Sequence, residues 1–222
     1  MRTLHHLALS AKSRKIRVVL GEKRLEAHLK AEQIWERRPE FLAINPAGEV
    51  PVLVEDDGTT IAHATAISEY LEEMHPSPAL MPSDPAGRAE VRRLVSWFDE
   101  KFEAEVTDLL VGEKVMKRFL GRGEPSSEAI RAGMSNISIH LDYIGWLAER
   151  RSWLAGEAFS LADITAAAHL SCVDYLGDVP WDRNPEARMW YARVKSRPSF
   201  RPLLADHITG LQPPKHYADL DF

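Results

Sequence analysis

The chain has 222 residues, 45% of them hydrophobic and 27% charged, with a net charge of −5 at pH 7. That balance fits a soluble globular protein with enough chain for a sizeable core in one large or two small domains. It speaks against general nucleic-acid binding, which calls for a basic surface. No apolar run approaches the ~20 residues that span a bilayer. The opening MRTLHHLALSAKSRK does not read as a signal peptide, because His5 and His6 interrupt a short apolar core. The single cysteine, Cys172, excludes an internal disulfide and agrees with a reducing, cytoplasmic setting.

In chain order, Thr3–Leu9 alternates as a strand, and Ser13–Lys23 carries Ile16, Val19 and Leu20 at helical spacing before a second strand at Leu25–Ala31. The segment QIWERRPEF reads as irregular. Glu49–Val54 is a strand, Glu55-Asp56-Asp57-Gly58 a hairpin turn, and Thr59–Ile61 its return. A helix follows in IAHATAISEYL. It has no Ser, Thr, Asp or Asn where its first unpaired N–H groups need a cap, since His63 and Ala64 open it and Thr65 comes one position late. The first third is thus βαβ followed by ββα.

Residues 75–87, HPSPALMPSDPAG, hold four prolines and read as a stiff linker. Beyond it the chain is helical. Val91, Leu94, Val95, Phe98, Phe102, Val106, Leu109 and Leu110 form one apolar stripe, and Ile130, Met134, Ile137, Leu141, Ile144 and Leu147 a second. Ser160 and Asp163 in FSLADIT have the spacing of a reciprocal capping box. The expected division is an α/β domain over 1–75, a linker over 76–86, an all-α domain over 87–210 and an acidic-hydrophobic tail over 211–222. The tail, LQPPKHYADLDF, is neither periodic nor apolar, and a fraying terminus is its default reading.

INPAGEVPVL, SWLAGEAFSLADIT, HPSPALMPSDP and RPSF, in this order and at these spacings, resemble the cytosolic glutathione transferase family along nearly the whole chain. The resemblance implies a thioredoxin-like domain followed by a helical bundle, usually dimeric. It also implies a cis Val50–Pro51 bond, with the Val50 backbone offered to the cysteinyl unit of glutathione. In the family a Glu-Ser or Gln-Ser pair opens the third helix, and the serine with the helix N-terminus binds the γ-glutamyl carboxylate. Here those positions are His63 and Ala64. Loss of one hydrogen bond to a charged group costs about 1.5–3 kcal/mol. Glu49, where Lys or Gln often stands before Val-Pro, repels an anionic peptide.

Ser10 aligns with the hydroxyl that steadies the thiolate in serine-type transferases; its plain reading is a helix cap. Ser10, Val50, Pro51, His63, Ala64 and Thr65 therefore form a vestigial glutathione site. No catalytic residue is expected unless Ser10 serves a glutathione-dependent transferase, and no cofactor or metal is expected. Lys12, Arg14, Lys15, Arg17, Lys23 and Arg24 crowd the first helix, while Glu113, Lys114, Lys117, Arg118 and Arg122 crowd the end of the long one. Such runs are usually solvated faces, or they steer an acidic partner. Trp35 beside Glu36, Arg37 and Arg38 reads as core or as an interface anchor.

A kept fold, an altered pocket and an unusual tail together resemble a branch of the family that serves bacterial cell division. That resemblance implies a non-catalytic dimeric adaptor at the division site. It would bind, bundle or curve filaments of the tubulin-like protein FtsZ and link them to septal cell-wall synthesis, without nucleic acid and without membrane insertion. Trp35, Glu113, Lys114, Lys117 and Arg118 are its candidate filament contacts. Asp219, Leu220, Asp221 and Phe222 are candidates for a second, wall-synthesis contact.

Overall fold

A computed structural model describes residues 1–220. Strands β1 (Thr3–His6), β2 (His28–Ala31), β3 (Val52–Val54) and β4 (Thr60–Ala62) form one mixed sheet in the order β2-β1-β3-β4. β1 runs parallel to β2 and antiparallel to β3, placing Leu4 between Leu29 and Leu53. The β3–β4 hairpin turns where Gly58 takes φ 89° and the Asp57 carboxylate accepts from Thr59 N at 2.8 Å. Helices α1 (Ala11–Glu22), α2 (Pro39–Ile44) and α3 (Ala64–Met74) complete a thioredoxin-like domain.

The strands are shorter than their alternation predicts. β3 cannot begin before Val52, because Pro51 has no N–H to donate to a ladder. The first helix starts two residues earlier than its apolar spacing indicates, because Ser10 caps it. Within the stretch read as irregular, Ile34–Glu36 makes a single 3-10 turn and Pro39 starts α2, its fixed φ suiting a first helical position.

The linker is tied down as well as stiff. Glu72 on α3 accepts from Leu80 N at 3.0 Å and Met81 N at 3.2 Å. It also pairs with buried Lys23, whose ammonium donates to His75 O and Pro78 O at 2.6 and 2.9 Å.

In the helical domain, α4 (Pro85–Ser96) runs into a wide, i to i+5 segment (Trp97–Met116) and a last turn, α5 (Lys117–Phe119), making one long rod. Then come α6 (Ser127–Ala148), α7 (Leu161–Tyr175), α8 (Pro185–Lys195) and α9 (Arg201–Leu204). Every residue of α7 is buried, Cys172 among them, so this helix is the centre of the bundle. Its start is the expected capping box: Asp163 accepts from Ser160 N at 3.1 Å, and also from Leu154 N and Trp190 Nε1 at 2.9 Å each. Burial raises the Asp163 pKa against the pull of those donors.

Most of the cationic run on α1 is turned inward rather than solvated. α1 packs against α7, and its charges lie in the join between the domains. Arg14, fully buried, donates to Ala8 O at 2.7 Å, Ser171 Oγ at 2.9 Å and the Tyr217 hydroxyl at 3.0 Å. Lys15 meets Asp99 at 2.6 Å, and Arg17 grips Asp206 through both nitrogens at 2.7 and 2.9 Å. Lys12, Arg14, Lys15 and Arg17 find their anions in the helical domain or the segment after it, and Lys23 finds Glu72 on α3, so among these cations only Arg24 stands exposed.

The tail also departs from its default. Lys215–Tyr217 is a 3-10 turn, and Tyr217 is buried with its hydroxyl donating to Leu203 O at 3.2 Å. Buried Lys195 donates to His216 O at 3.0 Å and to Asp219 O at 2.5 Å, and His216 meets Asp174 at 3.0 Å. Burial pulls Lys195 down to about 8, opposed by Asp174 and Asp219. An aromatic ring and a polar grip thus anchor a segment whose sequence shows no periodicity.

Asp163→Ala leaves the N–H groups of Leu154, Ser160 and Trp190 without their acceptor in the core. We expect a loss of about 3–5 kcal/mol of unfolding free energy, read from urea midpoints at constant slope. A loss under about 1 kcal/mol would show that the box is dispensable.

Candidate functional site

Between the two domains lies a cleft of about 520 Å³. Leu7, Leu9, Ser10 and Lys12 form its floor from the start of α1, Glu49 and Val50 come from the loop before β3, and the long rod supplies the opposite wall. Val50–Pro51 is cis. Neither the N–H nor the C=O of Val50 takes a hydrogen bond among the described residues. Ser10 caps α1 by accepting from Ser13 N at 3.3 Å, which accounts for this residue without any thiolate.

The cleft wall is rich in acids. Glu103 is paired with Lys12 at 2.9 Å, and Asp108 lies one turn further along. The Asp108 pKa is raised, first by burial between the walls and then by the charge of Glu103. Glu49 and Glu113 also line the cleft, facing Lys12, Lys117 and Arg122, and both Glu103 and Glu113 are paired with lysines. Thr107, also on the wall, bonds His169 Nδ1 at 3.0 Å, and His169 Nε2 meets Asp99 at 3.2 Å, so the wall is braced from behind by the domain join.

The other pocket residues are dispersed. His63 is the N-cap of α3 with φ 79°, exposed, and makes no side-chain cap. Ala64 and Pro51 are buried. Thr65 is exposed, gives no cap, and lines a separate hollow of about 190 Å³ with Lys15, Asp99 and Arg92. The first turn of α3 thus keeps its unpaired N–H groups and lacks a side-chain oxygen beside them.

The fold brings the candidate interaction residues of the two domains together at one end of the cleft. Half-buried Trp35 stacks on Phe119 with ring centres 4.9 Å apart and planes within 7°. Ile34 and Leu120, the neighbours of this pair, line the cleft, as do Glu113 and Lys117. Glu113 accepts from Lys117 Nζ at 2.9 Å and from Ser126 N, the cap of α6, at 2.6 Å. The Ser126 N–H, then Lys117, holds its pKa down. Lys114 turns to Asp178 at 2.6 Å, and Arg118 is exposed. Asp219 and Leu220 lie on the far side of the helical domain beside Trp181. Asp221 and Phe222 lie outside the described residues.

Sequence reading missed Phe119, Glu103, Thr107 and Asp108. Phe119 continues the first apolar stripe past its last counted member, which was the available signal. The three wall residues carry none, because a charged or hydroxyl side chain on a long helix looks like any solvated position. Among the described residues, no group of three or more His, Cys, Asp and Glu side chains could hold a metal ion. No helix among them is long and apolar enough to cross a membrane.

Comparison with known proteins matches residues 4–105 to the N-terminal domain of glutathione S-transferase and residues 141–198 to its C-terminal domain. FtsZ-localized protein A of Caulobacter vibrioides is 50% identical over 224 aligned positions, covering 100% of this chain and 98% of that protein. A solved structure of FzlA from C. crescentus superposes with a TM-score of 0.97 at 50% identity, over 100% of this chain and 99% of the other. A crystal structure described as a glutathione S-transferase from Rhodospirillum rubrum F11 gives 0.98 at 58% identity, over 100% of both chains.

Restoring a hydroxyl at the opening of α3 tests the reading of this pocket. Ala64→Ser is expected to tighten glutathione binding about tenfold, the return of one hydrogen bond to a carboxylate, measured by isothermal titration. An unchanged affinity would show that the missing hydroxyl does not limit binding.

Proposed function

Because the chain belongs to the glutathione transferase family and departs from it at the peptide-binding end, we propose that it is a non-catalytic adaptor that binds FtsZ filaments at the division site. The observation that carries this reading is its coextensive likeness to FtsZ-localized protein A, half the residues identical from end to end. Three features support it. Ala64 at the start of α3 supplies no hydroxyl, Glu49 opposes an anionic peptide, and the opposite wall carries Glu103, paired with Lys12, and Asp108.

In this reading Trp35 and the Glu113–Arg118 end of the rod touch the filament. The indole is a suitable anchor: one face stacks on Phe119, and cations flank it in sequence. Glu113 and Lys117 act through each other and the start of α6, so they shape this surface, and exposed Arg118 supplies free charge to it. A homodimer presents two copies of the surface, and bivalency converts weak contacts into cross-links that bundle or curve filaments. The terminal residues Asp219 to Phe222 provide a second contact, to the septal cell-wall machinery.

A second reading, a glutathione-dependent transferase with Ser10 holding the thiolate, is favoured by one observation: the 58% identical protein of Rhodospirillum rubrum is called a glutathione S-transferase. It predicts turnover of a generic electrophile that Ser10→Ala abolishes.

Co-sedimentation with GTP-assembled FtsZ separates the two. The chain is expected to pellet only when filaments are present, with Trp35→Ala and Arg118→Glu each weakening binding about tenfold or more. A chain that stays in the supernatant at low salt, while turning over the electrophile, overturns the adaptor reading.

A further inference from the structure

Arg93, Trp97, Lys101 and Glu105 recur every four residues along the rod, and their contacts turn them toward His140 and Tyr143 on α6. The His140 imidazole is buried, and both of its nitrogens are engaged. Trp97 Nε1–H donates to Nδ1 at 3.1 Å, and Nε2 meets Glu105 at 3.0 Å.

These partners fix where the ring carries its hydrogen. An indole nitrogen only donates, so Nδ1 must offer a lone pair. Glu105 is ionised, because Lys101 and then His140 hold its carboxyl below the ordinary range. A carboxylate only accepts, so Nε2 carries the hydrogen. The neutral ring is thus fully satisfied. A second proton has one place to enter, Nδ1, and there it meets the indole N–H head on.

The surroundings decide which group gives way. From the rod, Glu105 attracts a charged His140 and Lys101 repels it, while burial pushes its pKa down. α4 brings Arg93, which donates to the Tyr143 hydroxyl at 2.8 Å. α7 brings His169 to the Phe102 ring, 5.7 Å between centres, and His140 packs on the same ring at 4.9 Å. Toward α8, α6 turns Asp142, which accepts from Asn184 at 3.3 Å. His140 is therefore enclosed. Trp97 is only half-buried, tilted on Tyr143 at 4.7 Å with the Lys101 ammonium 5.7 Å over its face. Tyr143 stacks in turn beside exposed Trp146, which lies under Arg150. The indole has room to move and the imidazole has none.

We propose that His140 is a proton-sensitive latch on Trp97: the neutral ring holds the indole against the rod, and a second proton at Nδ1 releases it toward solvent. The aromatic face formed by Trp97, Tyr143 and Trp146 then has two shapes, selected by pH. The latch stands or falls without any partner, so it is independent of the adaptor reading.

Indole and histidine-ring NMR spectra of the full chain, taken from about pH 8 to about pH 5, test it. The Trp97 Nε1–H resonance is expected to move with the same midpoint as the His140 ring, below the ~6.5 of a free histidine. The Trp190 indole, bonded to Asp163, should stay still over that range. Trp97→Phe removes the opposing donor and should raise the proton affinity of His140 about threefold or more. An unchanged affinity overturns the proposal, because burial alone then accounts for the ring. So does a Trp97 resonance that ignores the His140 titration, or a His140 ring that stays neutral throughout. The wild-type titration decides the matter by itself should the variant fail to fold.

Discussion

The burial of the α1 cations governs this structure. Arg14, Lys15 and Lys23 carry full charges into places that water scarcely reaches, which is tolerable only where nearby anions and acceptors compensate them: Ala8 O, Ser171, Tyr217 and, at 3.7 Å, Asp206 for Arg14, Asp99 for Lys15, and Glu72 with two linker carbonyls for Lys23. The pairing residues come from the helical domain, from α3, from the linker and from the segment that carries Tyr217. One helix therefore holds the thioredoxin-like sheet, the helical bundle and the segment through Tyr217 in a single arrangement. The cleft exists because α1 cannot shift without exposing an unpaired charge. Its wall is stiffened by the same join, through Asp99, His169 and Thr107.

A helix committed in this way leaves its fold little freedom to lose, and leaves its pocket free to change. The peptide-binding end of the site consists of α3's first turn and the loop before β3, neither of which carries the buried charges. Ala64 in place of a hydroxyl and Glu49 in place of a neutral or basic side chain alter what the pocket attracts without disturbing the join. The proposed adaptor would depend on that separation, keeping the frame while the pocket and the rim change. Trp35 and Phe119 meet at that rim, one from each domain, so the surface they form exists only when the domains are joined.

What the sequence reveals follows from the range of the interactions. The Ser160–Asp163 box spans three residues, the Asp57-Gly58 turn two, and the Val-Pro segment one peptide bond, and each was legible where it stands. The burial of α1 was not, because Lys15 finds Asp99 84 residues on and Arg17 finds Asp206 189 residues on. A run of lysines and arginines looks solvated until its partners are placed in space. Tyr217 was illegible for the same reason, its bond to Arg14 crossing 203 residues. Strand ends were overextended wherever Pro51 or a turn removed the ladder donor that alternation alone presumes. Within the candidate site, Trp35 and the charged end of the rod were visible as unusual residues. Their meeting through Phe119 required the fold.

The central claim is that a transferase frame has become a bivalent binder of filaments. Electron microscopy of GTP-assembled FtsZ, with and without an equimolar amount of the chain, tests it most directly. The account predicts that single straight filaments become bundled or curved, and that Trp35→Ala leaves them single and straight. Filaments of unchanged form and spacing in the presence of the wild-type chain would contradict it.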